Sequence, residues 1–193
     1  AKSKWSINLP AQSPFELVTL DKVDNERERV LTPKEYKLLL EKAEQSNLHI
    51  LRDFIEFLYC TGARYSEALN LKRENTDLVK GLATFLDTKN GEDRDVPLSE
   101  KAYLILRSQI TRIDGRIFPM TKDSLKFWFK QAKRRTKIKD FRWHDLRRHA
   151  CSLLFERGLS VPEVQSISGH KDPRILLNTY TKLDPKKIVK KLG

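Results

Sequence analysis

Two cations on separate predicted turns are the first residues of this sequence with types suited to chemistry on a phosphodiester. Arg64 in "TGARYSEAL" begins a predicted helix directly after a tight glycine turn, where its guanidinium can present two parallel donors to a phosphate. Lys89 lies at the tip of the hairpin predicted for "TKNGEDRDVPL", where a flexible ammonium could reach a DNA backbone. Taken alone, each is also typical of a solvated surface residue.

The segment "HDLRRHA" is more informative. His144 and Arg147 are three residues apart, so on a helix they share one face, which we expect to be exposed. That pair would set a proton-transfer group beside a phosphate ligand. His149 lies well around the helix from both, in a supporting or packing position. The spacing of His144 and His149 does not suit a metal site, and no acidic ligand shares their face.

The stretch "SGHKDPRILLNTYTKL" adds His170, just past a helix end where Gly169 lets the chain turn sharply, and Tyr180 about one short helix later. A phenol with a pKa of about 10 is a poor nucleophile unless nearby cations stabilise its anion. Two arginines and a lysine would provide that stabilisation. Tyr180 is therefore either a nucleophile or a packing residue.

Composition indicates a basic protein of one main domain, either one that binds nucleic acid or a basic soluble protein without such a partner. The 193 residues carry 38 Lys and Arg against 26 Asp and Glu, a formal net charge of +12, which favours a polyanionic partner such as nucleic acid. No apolar run is long enough to span a bilayer, and the N-terminal stretch lacks the apolar core of a signal peptide. Cys60 and Cys151 lie in apolar segments without metal-ligand spacing. We therefore expect reduced cysteines and a cytoplasmic location, with no membrane partner.

Periodicity and turn signals predict a mainly α fold with a small antiparallel β-sheet. Helices are predicted in "LTPKEYKLLL", "LHILRDFIEFLYC", "YSEALNL", after Ser99, in "TKDSLKFWFKQAKRR", "HDLRRHACSLLFER" and "SVPEVQSIS", and after Asp172. "GLATFLDT" and "DRDVPL" read as strands joined by an Asn-Gly turn, and "NTDLVK" as a third strand. Residues 1–30 are charged and proline-punctuated, which is typical of an arm or linker.

This order of motifs resembles the catalytic domain of the tyrosine recombinases, the lambda-type integrase family. The resemblance covers about residues 31–183, and it implies a missing N-terminal DNA-binding domain before the linker at 1–30 and a C-terminal tail at 184–193. Tyr180 follows His170 by ten residues, one more than the family usually has. An insertion in the "KDPR" loop could be absorbed, whereas one inside the helix would rotate Tyr180 by about 100°.

The resemblance also implies a role for each residue. Arg64 and Arg147 would hold the scissile phosphate, and Lys89 would protonate the departing 5′-hydroxyl. His144 would serve in acid–base transfer and His170 would hydrogen-bond the phosphate. Tyr180 would attack phosphorus to form a 3′-phosphotyrosyl link. The resemblance implies no metal and no cofactor.

The partner implied by these roles is double-stranded DNA, bound by a homotetramer that is a monomer when free, with possible accessory DNA-bending proteins. A basic run that contains Trp128 and Trp143 would face the DNA: Lys126, Lys130, Lys133, Arg134, Arg135, Arg142 and Arg148. The main hypothesis is a site-specific recombinase, such as the integrase of a phage or mobile element. A chromosome-dimer resolvase, a DNA invertase and a non-catalytic DNA-binding protein are the alternatives.

Overall fold

A computed structural model describes residues 31–86, 93–110 and 112–180, with side chains as far as residue 177. These residues are mostly helical, as predicted. The helices are Pro33–Glu44 (α1), Leu51–Thr61 (α2), Tyr65–Leu69 (α3), Glu100–Ser108 (α4), Lys122–Thr136 (α5), Trp143–Glu156 (α6), Val161–Ser168 (α7) and Pro173–Tyr180 (α8), with a 3₁₀ turn at Arg73–Asn75.

The three predicted strands form one antiparallel sheet in the order β1-β2-β3. Their bounds are Thr76–Asp77 (β1), Leu82–Phe85 (β2) and Arg94–Pro97 (β3). In the β2–β3 register Ala83 is opposite Val96, and both are fully buried. The fold class is therefore confirmed. The Asn-Gly turn and Lys89 lie in residues 87–92, outside the described residues.

Local sequence explains where several helices begin and end. Thr32 caps α1 in a reciprocal arrangement with Glu35, the predicted capping box. The second predicted box, Ser160 with Glu163, begins α7. Helix α2 starts at Leu51, later than "LHILRDFIEFLYC" predicted, because a turn in which the amide of Leu51 donates to the carbonyl of Leu48 precedes it.

The core holds these elements in two clusters. The larger one contains a group of aromatic contacts in which Phe54 and Phe57 of α2 meet Phe118. The smaller cluster joins α6, α7 and α8 through Cys151, Val164 and Leu176. Strand β3 also contacts α7. Among the described helices, none has both the length and the apolar character needed to cross a membrane.

Candidate active site

The site is built on a glycine corner between α2 and α3. Gly62 ends α2 in the left-handed conformation, with φ of 64°. A Cβ at this position would lie 3.4 Å from the Cβ of Ala150, so the corner packs tightly against α6. The chain then turns at once into α3, with Arg64 as its N-terminal flanking residue. This turn, which the sequence predicted, places Arg64 beside α6.

Arg64 is held at both ends of its guanidinium. Its Nη1 pairs with Glu67 Oε1 at 2.6 Å, and its Nη2 donates to the carbonyl of Gly169 at 3.4 Å. The backbone amide of Arg64 donates to the other oxygen of Glu67 at 3.0 Å. Arg64 is 23% exposed and Glu67 only 6%, so solvent reaches the cation from one side.

A third arginine, Arg94 of β3, completes this group and was not among the predicted site residues. Its Nη2 pairs with Glu67 Oε2 at 2.8 Å, and its guanidinium lies 5.3 Å from the ring centre of Phe85. Burial alone would raise the pKa of Glu67, but hydrogen bonds from Arg94 and Arg64 outweigh burial and lower it. Glu67 is therefore an ionised carboxylate shared by two guanidinium groups.

One signal in the sequence could have revealed Arg94. Alternate residues of a strand share a face, so Arg94 shares the face of Val96, which is fully buried. A charged residue at a core-facing strand position is costly unless it is paired. In "DRDVPL" this alternation predicts a buried, partnered arginine.

Arg147 corrects one expectation, because it does not lie on an exposed face. It is 2% exposed, with Nη1 donating to the carbonyl of Gly62 at 3.0 Å. Its Nη2 lies 3.4 Å from Nδ1 of His170, and its buried Nε has no hydrogen-bond partner. Burial and then the charge of Arg64 lower the pKa of Arg147 to about 10. Along the described ranges Arg147 forms no salt bridge, so its charge is uncompensated by direct pairing.

His170 follows the left-handed Gly169 that ends α7. An arginine can only donate, so the Nδ1 of His170 accepts from Arg147, and Ser168 Oγ, 2.7 Å away, donates to the same nitrogen. This network assigns the ring proton to Nε2. Burial first, then the charges of Arg147 and Arg64, lower the pKa of His170 to about 3. His170 is thus a neutral ring that can donate from Nε2.

His144 lies one turn before Arg147 on α6 and, unlike Arg147, is exposed. Desolvation by the surrounding protein, followed by the charge of Arg147, lowers the pKa of His144. His149 takes the predicted packing position on the far side of the helix. It stacks on Tyr59, and its Nε2 lies 2.9 Å from the tyrosine hydroxyl.

Tyr180 is the last residue of α8, and its side chain lies outside the described side chains. Helix α8 is fixed by Leu176, which is fully buried against Cys151 and Val164. The helix starts at Pro173, so residues 169–172 form the turn that separates it from α7.

The seven basic residues predicted to bind DNA do not share one environment. Lys126, Lys130 and Arg134 are exposed on α5. Lys133 is half-buried and donates to the carbonyl of Phe141 at 2.9 Å. Arg135 is exposed and donates to the carbonyl of Gln45 at the end of α1.

The other two basic residues, Arg142 and Arg148, belong to the α6 region. Arg142 is exposed, and its amide donates to Asp145 to begin α6, while Arg148 is half-buried. Trp143 stacks on Phe129 with ring centres 3.7 Å apart, which packs the start of α6 against α5.

These placements bring five side chains to one corner at Gly169 and His170: Arg64, Arg94, Arg147, His170 itself, and Glu67 as the shared counterion. His144 is close enough for its charge to affect the pKa of His170. Among the described residues there is no group of three or more His, Cys, Asp and Glu side chains positioned to hold a metal ion. The corner is chemically suited to bind an anion, since three guanidinium groups face a single carboxylate.

Comparison with known proteins agrees with this geometry. The model that represents the phage integrase family matches residues 29–187. The chain is similar to a shufflon-specific DNA recombinase of Escherichia coli, with 38% identity over 181 residues that cover 93% of this chain and 47% of that protein. It is also similar to tyrosine recombinase XerA of Saccharolobus solfataricus, with 28% identity and coverage of 88% and 55%. The chain spans about half the length of these curated relatives.

Two solved structures show the same fold. The integrase of the Tn1549 transposon, in complex with a circular intermediate DNA, superposes with a TM-score of 0.70 at 19% identity, covering 94% of this chain and 69% of that one. The catalytic domain of bacteriophage HP1 integrase gives a TM-score of 0.67 at 24% identity, covering 83% of this chain and 93% of that one.

Proposed function

The chain belongs to the phage integrase family, and on that premise we propose that it is the catalytic region of a site-specific DNA recombinase. It would cleave and rejoin DNA through a 3′-phosphotyrosyl intermediate. Residues 31–183 would form the catalytic domain, preceded by a linker at 1–30 and followed by a tail at 184–193. The names of the relatives support this proposal, since they include a shufflon-specific recombinase, a tyrosine recombinase and integrases.

The observation that carries the proposal is the uncompensated positive charge of the corner. Arg147 is buried, has an unpartnered Nε, and is close enough to Arg64 for that charge to lower its pKa. A buried cation without a counterion is costly. An incoming phosphate would satisfy both guanidinium groups, and the negative charge that grows on the phosphorane would strengthen the contacts during the reaction.

The neutral state of His170 gives it a specific part in this scheme. A ring that accepts from Arg147 at Nδ1 can donate from Nε2 to a phosphate oxygen, which a protonated His170 would do only at the cost of its contact with Arg147. Exposed His144, next to the corner, would exchange the proton of the nucleophile with solvent. Its lowered pKa leaves it unprotonated near neutral pH, as a general base must be.

The bond changes balance without an external energy source. The phenolic oxygen of Tyr180 would attack phosphorus and lose its proton, and the bond from phosphorus to the 5′-oxygen would break. Lys89 would protonate that oxygen. The phosphotyrosyl ester retains the energy of the broken bond, and the reverse attack by a 5′-hydroxyl rejoins the strand.

The DNA partner would be double-stranded and held by the basic residues of α5 and α6, in a homotetramer assembled from free monomers. Accessory DNA-bending proteins would assist assembly on the DNA, and the reaction would take place in the bacterial cytoplasm or nucleoid. Integration, resolution and inversion share the same strand chemistry, so the site residues serve each of them equally.

Covalent capture tests the proposal. Nicked duplexes with a randomised segment are incubated with the chain, adducts that resist SDS are recovered, and their DNA is sequenced to define a substrate. Tyr180→Phe should abolish the adduct on that substrate while DNA binding persists, because only one hydroxyl is removed. Tyr103→Phe, on α4 and away from the corner, is the matched control. An adduct that survives Tyr180→Phe would contradict the assignment of the nucleophile.

A further inference from the structure

Arg94 makes three contacts that together tie β3 to the anion-binding corner. Its guanidinium donates to both oxygens of Glu67, at 2.8 and 3.4 Å, and it covers one face of Phe85. It also lies against Gly169, the residue before His170. The side chain is only 9% exposed, so these contacts are made away from solvent.

The contact with Gly169 explains why that position is a glycine. The backbone there has φ of 68°, which side-chain-bearing residues rarely adopt. A Cβ would also lie 2.5 Å from Nη1 of Arg94 and 3.0 Å from its Cζ. The guanidinium therefore occupies the space beside the α7–α8 turn that a side chain would otherwise fill.

The contacts form a closed chain of partners. Arg94 binds Glu67, Glu67 binds Arg64, Arg64 donates to the carbonyl of Gly169, and Gly169 packs on Arg94. This chain joins β3, α3 and the α7–α8 turn, which are distant in sequence. Each member is held by two others, so the position of Arg64 depends on Arg94.

Charge gives Arg94 a second effect on Arg64. A lone Arg64–Glu67 pair would be neutral, and its carboxylate would compete with a phosphate for the guanidinium. Arg94 adds a positive charge and donates to both oxygens of Glu67, so the group of three keeps a net charge of +1. Arg64 is thereby held in place by Glu67, while the group keeps a positive charge that attracts an anion.

We propose that Arg94 is a positioning residue for the cleavage reaction, which acts through Glu67 on Arg64 and through Gly169 on His170. The inference rests on the proposed function. Removal of Arg94 would loosen two phosphate-binding groups without removing either. The chemical step would slow, and affinity for DNA would change little, because the exposed cations of α5 are untouched.

The experiment measures single-turnover adduct formation at saturating DNA, on the substrate selected with the unmutated chain. Arg94→Met should lower the rate about 10- to 100-fold, the scale expected when a reacting group is displaced by about 1 Å. Arg94→Lys, which keeps the charge and loses the paired donors, should recover part of that loss. Arg116→Met is the matched control, since Arg116 is exposed and outside the corner.

Rate and amplitude separate positioning from folding. A variant that merely misfolds would lower the amplitude of adduct and the melting temperature, and its active fraction would react at the normal rate. A double variant with Glu67→Gln should show a defect smaller than the product of the two single defects, because Arg94 and Glu67 share their effect on Arg64. Unchanged rates in Arg94→Met, or defects that multiply in the double variant, would overturn the inference. Absence of any adduct with the unmutated chain would instead refute the proposed function.

Discussion

The corner at Gly169–His170 and the basic face of α5 both concentrate positive charge, yet they do so in opposite ways. At the corner, Arg147 is buried and Arg94 nearly so, and each guanidinium is fixed by partners from distant segments. On α5, Lys126 and Lys130 are exposed and lie one helical turn apart on a single element. One region is a shaped site, and the other is a solvated surface.

The difference lies in the medium around the charges. A cation in the low-dielectric corner interacts strongly with a nearby anion, and its fixed position means little reorganisation when charge develops. An exposed lysine interacts through water and salt, so its effect is weaker and screened. Under the proposed function, the corner would stabilise the transition state, and the face of α5 would attract and orient DNA.

The largest effect should follow from removal of a corner arginine. Arg147→Ala should lower the rate of adduct formation by roughly 10²–10³-fold, as for loss of one oxyanion-hole donor. Arg147→Lys should recover little, because an ammonium cannot reach both the Gly62 carbonyl and His170 as the fork does. Single-turnover kinetics at saturating DNA measure both. A near-normal rate in Arg147→Ala would contradict the idea that the corner stabilises the transition state.

An intermediate effect is expected for the face of α5, on affinity rather than rate. If Lys126 and Lys130 each contact one phosphate, Lys126→Gln and Lys130→Gln should each reduce the slope of log affinity against log salt by about 0.9. Arg135→Gln should change the slope less, since Arg135 donates to the Gln45 carbonyl on another side of the helix. Fluorescence anisotropy across a salt series measures these slopes. Equal slopes for the three variants would contradict the prediction that Lys126 and Lys130 contact phosphates more than Arg135 does.

A further effect concerns acid stability, which is independent of cleavage and of DNA affinity. The pKa of His170 is about 3 in the folded chain against an ordinary 6.5, so between these values the unfolded chain binds a proton that the folded chain does not. Stability present above pH 6.5 should therefore decline as pH falls through that window. The lowered pKa values of His144 and His149 act in the same direction.

Melting temperatures measured against pH test this expectation. His170→Gln should flatten the decline, because glutamine takes up no proton. Lys126→Gln on α5 is the control, and it should leave the slope as it was. If His170→Gln declines as steeply as the unmutated chain, the contribution of the corner to acid stability is refuted.

Local sequence rules predicted the elements well, because caps and turns depend on neighbouring residues. Thr32 with Glu35 and the glycines at 62 and 169 are examples. The burial of Arg147 was missed because helical periodicity gives the face of a residue but not what covers it. Here the cover is His170, 23 residues further along the chain. Arg94 was missed because its partner, Glu67, lies 27 residues away on α3.

The contacts of three arginines with the glycine turns at Gly62 and Gly169 have a consequence for a chain that is not fully folded. Arg64 reaches the carbonyl of Gly169 across 105 residues, and Arg147 reaches that of Gly62 across 85. A nascent or locally unfolded chain can still display the lysines of α5, but it has no assembled corner. Under the proposed function, such a chain would bind DNA without cleaving it, because cleavage requires the assembled corner.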